Sequence, residues 1–202
     1  MRTLFSLFLG LLLCSSALFA QGTDVTPKDP QAVYQHAETK FVYPPTVAGF
    51  AREDITQYDE KGLDIGAGYR HPARIFATVY VYPNVLPPEC KTCVHPAVPQ
   101  DLKAHFEQCS QHIAKYPGAK LVKTEQIQIT ANGKVRDGWR AEYHLPQGMR
   151  QGNDSLHSQL WVFSMEEKWF FKFRITYPTA VQEQAAELIP TFVRAFAWPS
   201  GL

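Results

Sequence analysis

Hydrophobic and polar residues alternate along much of this chain, which is the pattern of half-buried β-strands. Residues 50–59 and 63–69 predict a first hairpin with a glycine-containing turn. Within it, Gly66 and Gly68 indicate positions where a backbone or an aromatic ring packs closely. Residues 75–82 predict the next strand. One of its sides carries Ile75, Ala77, Val79 and Val81, and the other carries Phe76, Thr78, Tyr80 and Tyr82.

Two further hairpins are predicted in the second half of the chain. Their strands are residues 121–130 with 135–145, and residues 156–165 with 169–177. Asn132 and Gly133 connect the first pair and form the strongest short hairpin signal in the sequence. In the last strand, one face carries Trp169, Phe171, Phe173, Ile175 and Tyr177.

Two helices are predicted from apolar stripes at helical spacing, over residues 99–116 and 179–196. The stripes are Leu102, Phe106, Cys109 and Ile113 in the first helix, and Val181, Ala185, Leu188, Phe192 and Phe196 in the second. Thr179 and Gln182 stand at capping-box spacing, and Pro190 should kink or divide the second helix. We expect the stripe of that helix to pack on the aromatic face of the last strand.

Runs of hairpins with helices between them predict an α+β fold, a mainly antiparallel sheet with two packed helices. The order of these elements resembles that of the PsbP-like α/β/α sandwich. This fold is named for an extrinsic subunit of photosystem II and recurs in small exported bacterial proteins. The resemblance covers residues 40–198, and the segments at 62–70 and 171–178 are similar to those of uncharacterised exported bacterial proteins. It implies a scaffold or binding role and transfers no functional residue.

The first twenty residues have the layout of a secretory signal peptide. Arg2 is followed by an apolar run over residues 4–13 and by the small residue Ala20 at the expected cut. The run is shorter than the roughly 20 apolar residues that span a bilayer. Lipid modification of Cys14 is not favoured, because a leucine and not a small residue precedes it. We therefore expect an exported protein, periplasmic or secreted, with no membrane span after cleavage.

The chain then divides into a signal peptide at residues 1–20, a linker with a short helix at 21–40, and a single α+β domain at 41–202. The short helix is expected over residues 31–39. Without the leader, nineteen basic and nineteen acidic residues remain. A neutral surface exerts no long-range attraction on nucleic acid. We expect no nucleic-acid partner, and the expected partner is a protein or a small ligand of unknown identity.

A cysteine cluster in the mature sequence is the first candidate site, and three interpretations stay open. Export favours a disulfide from Cys109 to Cys93 or Cys90. Closing about 15 residues would stabilise the fold by roughly 3 kcal/mol. Alternatively, Cys90, Cys93, Cys109 and His112 have the spacing of a four-ligand zinc site. Thiol redox chemistry at Cys90 and Cys93 is the third, although the βαβ context of active CxxC pairs is missing.

A polar sheet face bordered by aromatic residues is the second candidate site. Its expected members are Tyr80, Tyr82, Arg140, Glu142, His144, Lys172 and Arg174. The interpretation depends on the last hairpin adding its two cations to the face that carries Arg140. Since antiparallel sheets often expose one side to water, a solvated face without a ligand is the alternative.

These patterns predict an exported, non-enzymatic binding or accessory protein of unknown ligand, with no cofactor. The alternative is a metal-binding or thiol-redox protein that uses the cluster of Cys90, Cys93, Cys109 and His112, with zinc as its metal.

Overall fold

The structure, a computed structural model, describes residues 22–84, 101–146 and 154–199. Within these ranges the strands are β1 (Thr23–Asp24), β2 (Tyr34–Gln35), β3 (Val42–Tyr43), β4 (Thr46–Val47), β5 (Phe50–Gln57), β6 (Ile65–His71), β7 (Ile75–Pro83), β8 (Lys120–Ala131), β9 (Lys134–Leu145), β10 (Leu156–Met165) and β11 (Trp169–Pro178). The helices are α1 (Leu102–Ala114) and α2 (Gln182–Ala195), and a short 3-10 turn, Thr179–Val181, precedes α2.

The main sheet is built from two meanders that meet in its centre. Its strand order is β1-β5-β6-β7-β11-β10-β9-β8, and β4 also pairs with β5. All neighbouring pairs are antiparallel, and Val79 of β7 lies opposite Phe173 of β11 where the two meanders join. The predicted fold class is confirmed: an α+β fold with a mainly antiparallel sheet and two packed helices.

The hairpin between β8 and β9 forms as its sequence predicts. Asn132 and Gly133 both have positive φ, 51° and 71°, which is the geometry that matches the twist of a two-residue hairpin. In the β10–β11 turn, Glu166 and Glu167 also have positive φ, although neither is glycine. In the β5–β6 turn, the Asp59 carboxylate accepts the backbone N–H groups that follow it, which buries this acid among its own turn residues.

Helix α2 covers one face of the sheet with an aromatic core. Phe192 and Phe196 contact Phe173, with ring centroids 6.3 and 5.7 Å apart. The predicted packing of this helix on the aromatic face of β11 is confirmed. The stripe itself is shifted: Ile189 and Val193 are also buried, whereas Leu188 and Val181 are only partly buried. Pro190 lies inside α2 and does not divide it.

The predicted capping box at the start of this helix is wrong. Thr179 belongs to the 3-10 turn, and its hydroxyl donates to the carbonyl oxygen of Ser155, 3.1 Å away. Helix α2 begins at Gln182 without a side-chain cap. Leu156 of β10 lies opposite Pro178 of β11, so Ser155 lies beside Thr179 and takes its hydrogen bonds in place of the helix.

The predicted short helix at 31–39 is also wrong. Tyr34–Gln35 pairs with Val42–Tyr43 as a small second sheet. A buried imidazole causes the difference: His36 Nδ1 accepts the Thr39 N–H, and its Nε2 donates to the carbonyl of Leu63. These bonds close a tight turn in place of a helical one. The segment predicted as a linker also contributes β1, which pairs with β5.

Within the described ranges, neither helix has the length and apolar character needed to cross a membrane.

Candidate functional site

The predicted polar face is divided between the two sides of the sheet. Residues that lie opposite one another on neighbouring strands share a face. Arg140 lies opposite Trp161, which lies opposite Phe173, so Arg140 is on the side of α2. Lys172 lies opposite Tyr80 and Val162, on the side of α1. The expectation of one shared face is therefore wrong: Tyr80, Tyr82, Lys172 and Arg174 lie on the α1 side, and Arg140, Glu142 and His144 lie on the α2 side.

Helix α1 covers only part of its side of the sheet. It contacts β9 and β10, where Phe106 and Ile113 pack into a second core. Tyr82 belongs to that core and is 1% exposed, so it is a packing residue and not a surface available to a ligand. The part of the face formed by β5, β6, β7 and the end of β11 extends beyond the helix.

An open groove of about 500 Å³ occupies this uncovered part. Half-buried side chains of β7 form its floor, namely Phe76, Thr78 and Tyr80. Charged side chains line its rim, namely Glu53, Asp54, Arg74, Asp154 and Arg174. The groove therefore combines an aromatic floor with polar groups around it, the composition typical of ligand sites.

Two glycines of β6 shape the floor of the groove. A Cβ at Gly66 would lie 2.9 Å from the ring of Tyr80 and 3.0 Å from that of Tyr58. A Cβ at Gly68 would overlap the carboxylate of Asp54, which accepts the Gly68 N–H over 3.0 Å. The prediction of a closely packed backbone or ring is confirmed at Gly66, whereas at Gly68 the close neighbour is a carboxylate. Glycine lets the tyrosine rings and the carboxylate lie directly on the strand.

The charges of the groove are paired at one end only. There, Arg70 forms an ion pair with Glu53, and Arg74 forms one with Asp154 over 2.7 Å. Beside the other end, Lys172 does not line the groove itself, but its ammonium lies 4.3 Å from the ring centroid of Tyr80, which does. Nearby, the Arg174 guanidinium lies 5.2 Å from the ring of Tyr116. Among the described residues, neither Lys172 nor Arg174 has a carboxylate within 4.0 Å.

His112 lies near this basic end of the groove, on the last turn of α1. Desolvation by neighbouring atoms lowers its pKa below the usual value, and the positive charges of Lys115, Lys172 and Arg174 lower it further. Since each of these charges disfavours a second cation beside it, His112 is neutral at neutral pH and offers one ring N–H as a donor.

On the α2 side, Glu142 belongs to a polar network. Its Oε1 accepts hydrogen bonds from His157 Nδ1 over 2.9 Å and from the Tyr177 hydroxyl over 3.2 Å. Gln159 donates to that hydroxyl, and Trp161 donates to Gln159. Burial raises the pKa of Tyr177, and the charge of Glu142 adds to the shift, so Tyr177 remains a neutral donor. A cavity of about 130 Å³ lies between this network and α2.

The two basic predicted residues of this side are engaged with their neighbours. Arg140 forms an ion pair with Glu125 and lies 5.1 Å from the ring centroid of Trp161. The ring of His144 packs edge-on against that of His157, with centroids 5.5 Å apart. These contacts hold the side chains against the sheet and leave the α1-side groove as the better candidate site.

Only one half of the predicted cysteine cluster lies in the described residues. Cys109 is a free thiol whose Sγ lies 3.4 Å from His105 Nε2. His105 is buried, stacks on Phe170 and also bonds the Tyr82 hydroxyl, whereas His112 is exposed. Cys90 and Cys93 lie outside the described residues, so the disulfide and the zinc site stay predictions. Within the described ranges, no three His, Cys, Asp or Glu side chains are placed to hold a metal.

Sequence reasoning missed several residues of both sites. On the α2 side these are His157, Gln159, Trp161 and Tyr177, and in the groove they are Asp54, Arg74 and Asp154. The period of two along β10 places the first three on one face and could have identified them. Arg74 and Asp154 lie in loops, where no periodic pattern exists, and Asp54 lies in β5 beside a register shift that interrupts the alternation.

No family model and no curated protein matches the chain. Among solved structures, the chain is similar to the solution structure of cyanobacterial PsbP (CyanoP) from Synechocystis sp. PCC 6803. The two are 15% identical over 93% of this chain and 98% of that chain, with a TM-score of 0.43. The neighbour is a PsbP, the family that the element order of the sequence resembles.

Proposed function

We propose that this protein is an exported binding or accessory protein that holds a small ligand in the groove beside α1. The observation that carries the proposal is the groove itself, a concave region of about 500 Å³ over the half of the sheet that α1 leaves uncovered. Small-molecule sites in proteins have volumes of roughly 300–1,000 Å³ and combine apolar walls with a few polar groups.

The floor of the groove is built to be rigid before any ligand arrives. Phe76, Thr78 and Tyr80 project from a central strand whose other side is fully buried in the α2 core. Gly66 brings the neighbouring backbone close under the ring of Tyr80, and Gly68 brings it close to the Asp54 carboxylate. A preformed floor avoids the entropic cost of ordering side chains upon binding, which favours a binding role.

Export is the second part of the proposal and rests on the first twenty residues. A basic residue, an apolar run of about ten residues and a small residue at the cut are the three parts of a secretory signal. Amino-terminal sequencing of the protein recovered from the periplasm or the medium should begin at Gln21. Recovery with Met1 retained, or with a lipid on Cys14, would refute this part.

Binding in the groove is tested by filling it. Thr78→Trp places an indole on the groove floor, and Thr130→Trp places the same group on the exposed edge strand β8. Each purified protein is incubated with small-molecule extract of the compartment it is exported to and examined by native mass spectrometry. Wild type and Thr130→Trp should retain a bound mass that Thr78→Trp lacks. No bound mass on wild type, or an equal one on Thr78→Trp, would reject the groove as the site.

A further inference from the structure

Several basic residues of the sheet and of α1 are paired with acids. Arg70, Arg74, Arg140 and Lys103 each have a carboxylate within ion-pair distance. Lys172 and Arg174 have none among the described residues, although they lie two positions apart on one face of β11. Two neighbouring cations repel each other, so their arrangement favours an anion between them.

Aromatic rings hold both cations in place without using their hydrogen-bond donors. The Lys172 ammonium lies over Tyr80 and also 5.0 Å from the ring centroid of Tyr82, and the Arg174 guanidinium lies over Tyr116. A ring face attracts a cation through its quadrupole and accepts no conventional hydrogen bond. Neither side chain donates to another described residue. The three donors of a lysine and the five of an arginine therefore remain available to an incoming group.

Position along the sheet connects this basic end with the aromatic floor. Arg174 lies opposite Thr78, and Lys172 lies opposite Tyr80. Phe76 lies two residues from Thr78 and four from Tyr80, on the same side of β7. At about 3.3 Å per residue, the distance from Tyr80 to Phe76 is roughly 13 Å, the length of a small organic molecule. The ion pair between Arg74 and Asp154 lies beyond Phe76 at the opposite rim.

We propose that Lys172 and Arg174, with His112 nearby on α1, bind the carboxylate or phosphate of a small organic anion whose apolar part lies on Tyr80 and Phe76. This inference rests on the proposed function and adds the chemical class of the ligand. Arginine offers two parallel N–H donors that match the oxygens of either anion, and lysine adds a point charge. His112 contributes a neutral N–H donor from the last turn of α1.

Three related probes test the inference: phenyl phosphate, benzoate and the uncharged benzyl alcohol. Each is titrated into the isotope-labelled protein, and amide shifts are followed by NMR. The two anions should shift the amides of Lys172, Arg174 and His112 and bind about tenfold or more tightly than the alcohol, as expected for charge-assisted hydrogen bonds. The stronger of the two anions identifies carboxylate or phosphate as the preferred group. Added salt should weaken anion binding and leave alcohol binding unchanged.

The variant Lys172→Gln/Arg174→Gln should lose the preference and bind all three probes with similar, weak affinity. Lys103→Gln is the matched control, because that lysine lies at the other end of α1 and pairs with Glu107. Equal affinity for alcohol and anions in wild type, or an anion preference kept in the double variant, would overturn the inference. Groove shifts with the alcohol alone would leave the binding function intact, whereas no groove shifts with any probe would count against both proposals.

Discussion

The ring of Phe192 in α2 packs against that of Phe50 in β5, with centroids 4.2 Å apart. The same Phe192 side chain also contacts Tyr69 of β6 and Phe173 of β11. Because β5 and β6 belong to one meander and β11 to the other, this single side chain links the two halves of the sheet. Its loss should therefore affect the whole fold and not one hairpin.

Phe192→Ala should lower the free energy of unfolding by about 3–5 kcal/mol, the range for a buried phenylalanine whose removal leaves a cavity. Glu187→Ala, at an exposed position of the same helix, should change it by less than about 0.5 kcal/mol. Urea denaturation followed by circular dichroism measures both. Equal midpoints for wild type and Phe192→Ala would show that the α2 core is not built as described.

Gly138 of β9 should not tolerate a side chain. A Cβ there would lie 2.5 Å from two ring carbons of the fully buried Phe163 and 3.0 Å from the Val162 carbonyl oxygen. Gly138→Ala should destabilise the protein by about 1–3 kcal/mol through overpacking. In a Phe163→Leu background, Gly138→Ala should lower the free energy of unfolding by about 0.5–3 kcal/mol less than it does in wild type, because the ring that the new Cβ meets is absent. Additive effects in a thermal-unfolding cycle would contradict this contact.

His36 should make stability fall in mildly acidic solution. Burial lowers its pKa, because the enclosed ring would lose its hydration if it were charged, and this effect exceeds the opposing influence of the Leu63 hydrogen bond and nearby acids. The unfolded chain therefore takes up a proton near the ordinary histidine pKa of about 6.5 while the folded chain does not. The stability that His36 contributes is fully present above about pH 6.5. It is lost as the pH falls from there through the lower pKa of the folded state.

His36→Asn removes the titrating ring and keeps an oxygen that can accept the Thr39 N–H. It should be less stable than wild type at neutral pH, because the bond to Leu63 is lost, and its stability should change less between about pH 7 and 5. Chemical denaturation at a series of pH values gives both curves. Parallel curves would show that His36 does not cause the acid sensitivity.

Cys109 should be oxidised to Cys93 or Cys90 in the exported protein. Its thiol is partly buried on α1, and export exposes it to an oxidising compartment. Mass spectrometry of the unreduced, denatured protein after alkylation should show one modified thiol in place of three. Three modified thiols would exclude the bridge. Stoichiometric zinc that is lost in Cys109→Ser would favour the metal site instead.

The sequence predicted hairpins well where the signal was local. Asn132 and Gly133 prefer positive φ for reasons confined to their own backbones, so the β8–β9 turn could be located directly. The helix expected over residues 31–39 failed for the opposite reason. His36 is held by Leu63, a residue from a different hairpin, and no local pattern shows that hydrogen bond.

The candidate site was harder to predict. Alternation shows which residues of one strand share a face, but it does not show which side of the sheet that face occupies relative to other strands. Arg140 and Lys172 both lie on polar faces of their own strands, yet pairing places them on opposite sides of the sheet. Register shifts add to the difficulty, as between Leu121 and Lys123 in β8. The basic end of the groove was found in part, since Tyr80, Lys172 and Arg174 were all expected in one site and do lie together.

The junction of the two meanders has a consequence for the speed of folding. Most neighbouring strands are joined by short turns, but Phe76 of β7 pairs with Thr176 of β11, one hundred positions further along the chain. Hairpins close in about 1–10 μs, whereas contacts this distant need a long loop to close first. We expect the β7–β11 pairing to limit the folding rate, so that Val79→Ala slows refolding in stopped-flow experiments while Ile127→Ala in β8 mainly speeds unfolding. Each meander would then form first, and the pairing of the central strands β7 and β11 would form last, limited by the diffusion of the two halves toward each other.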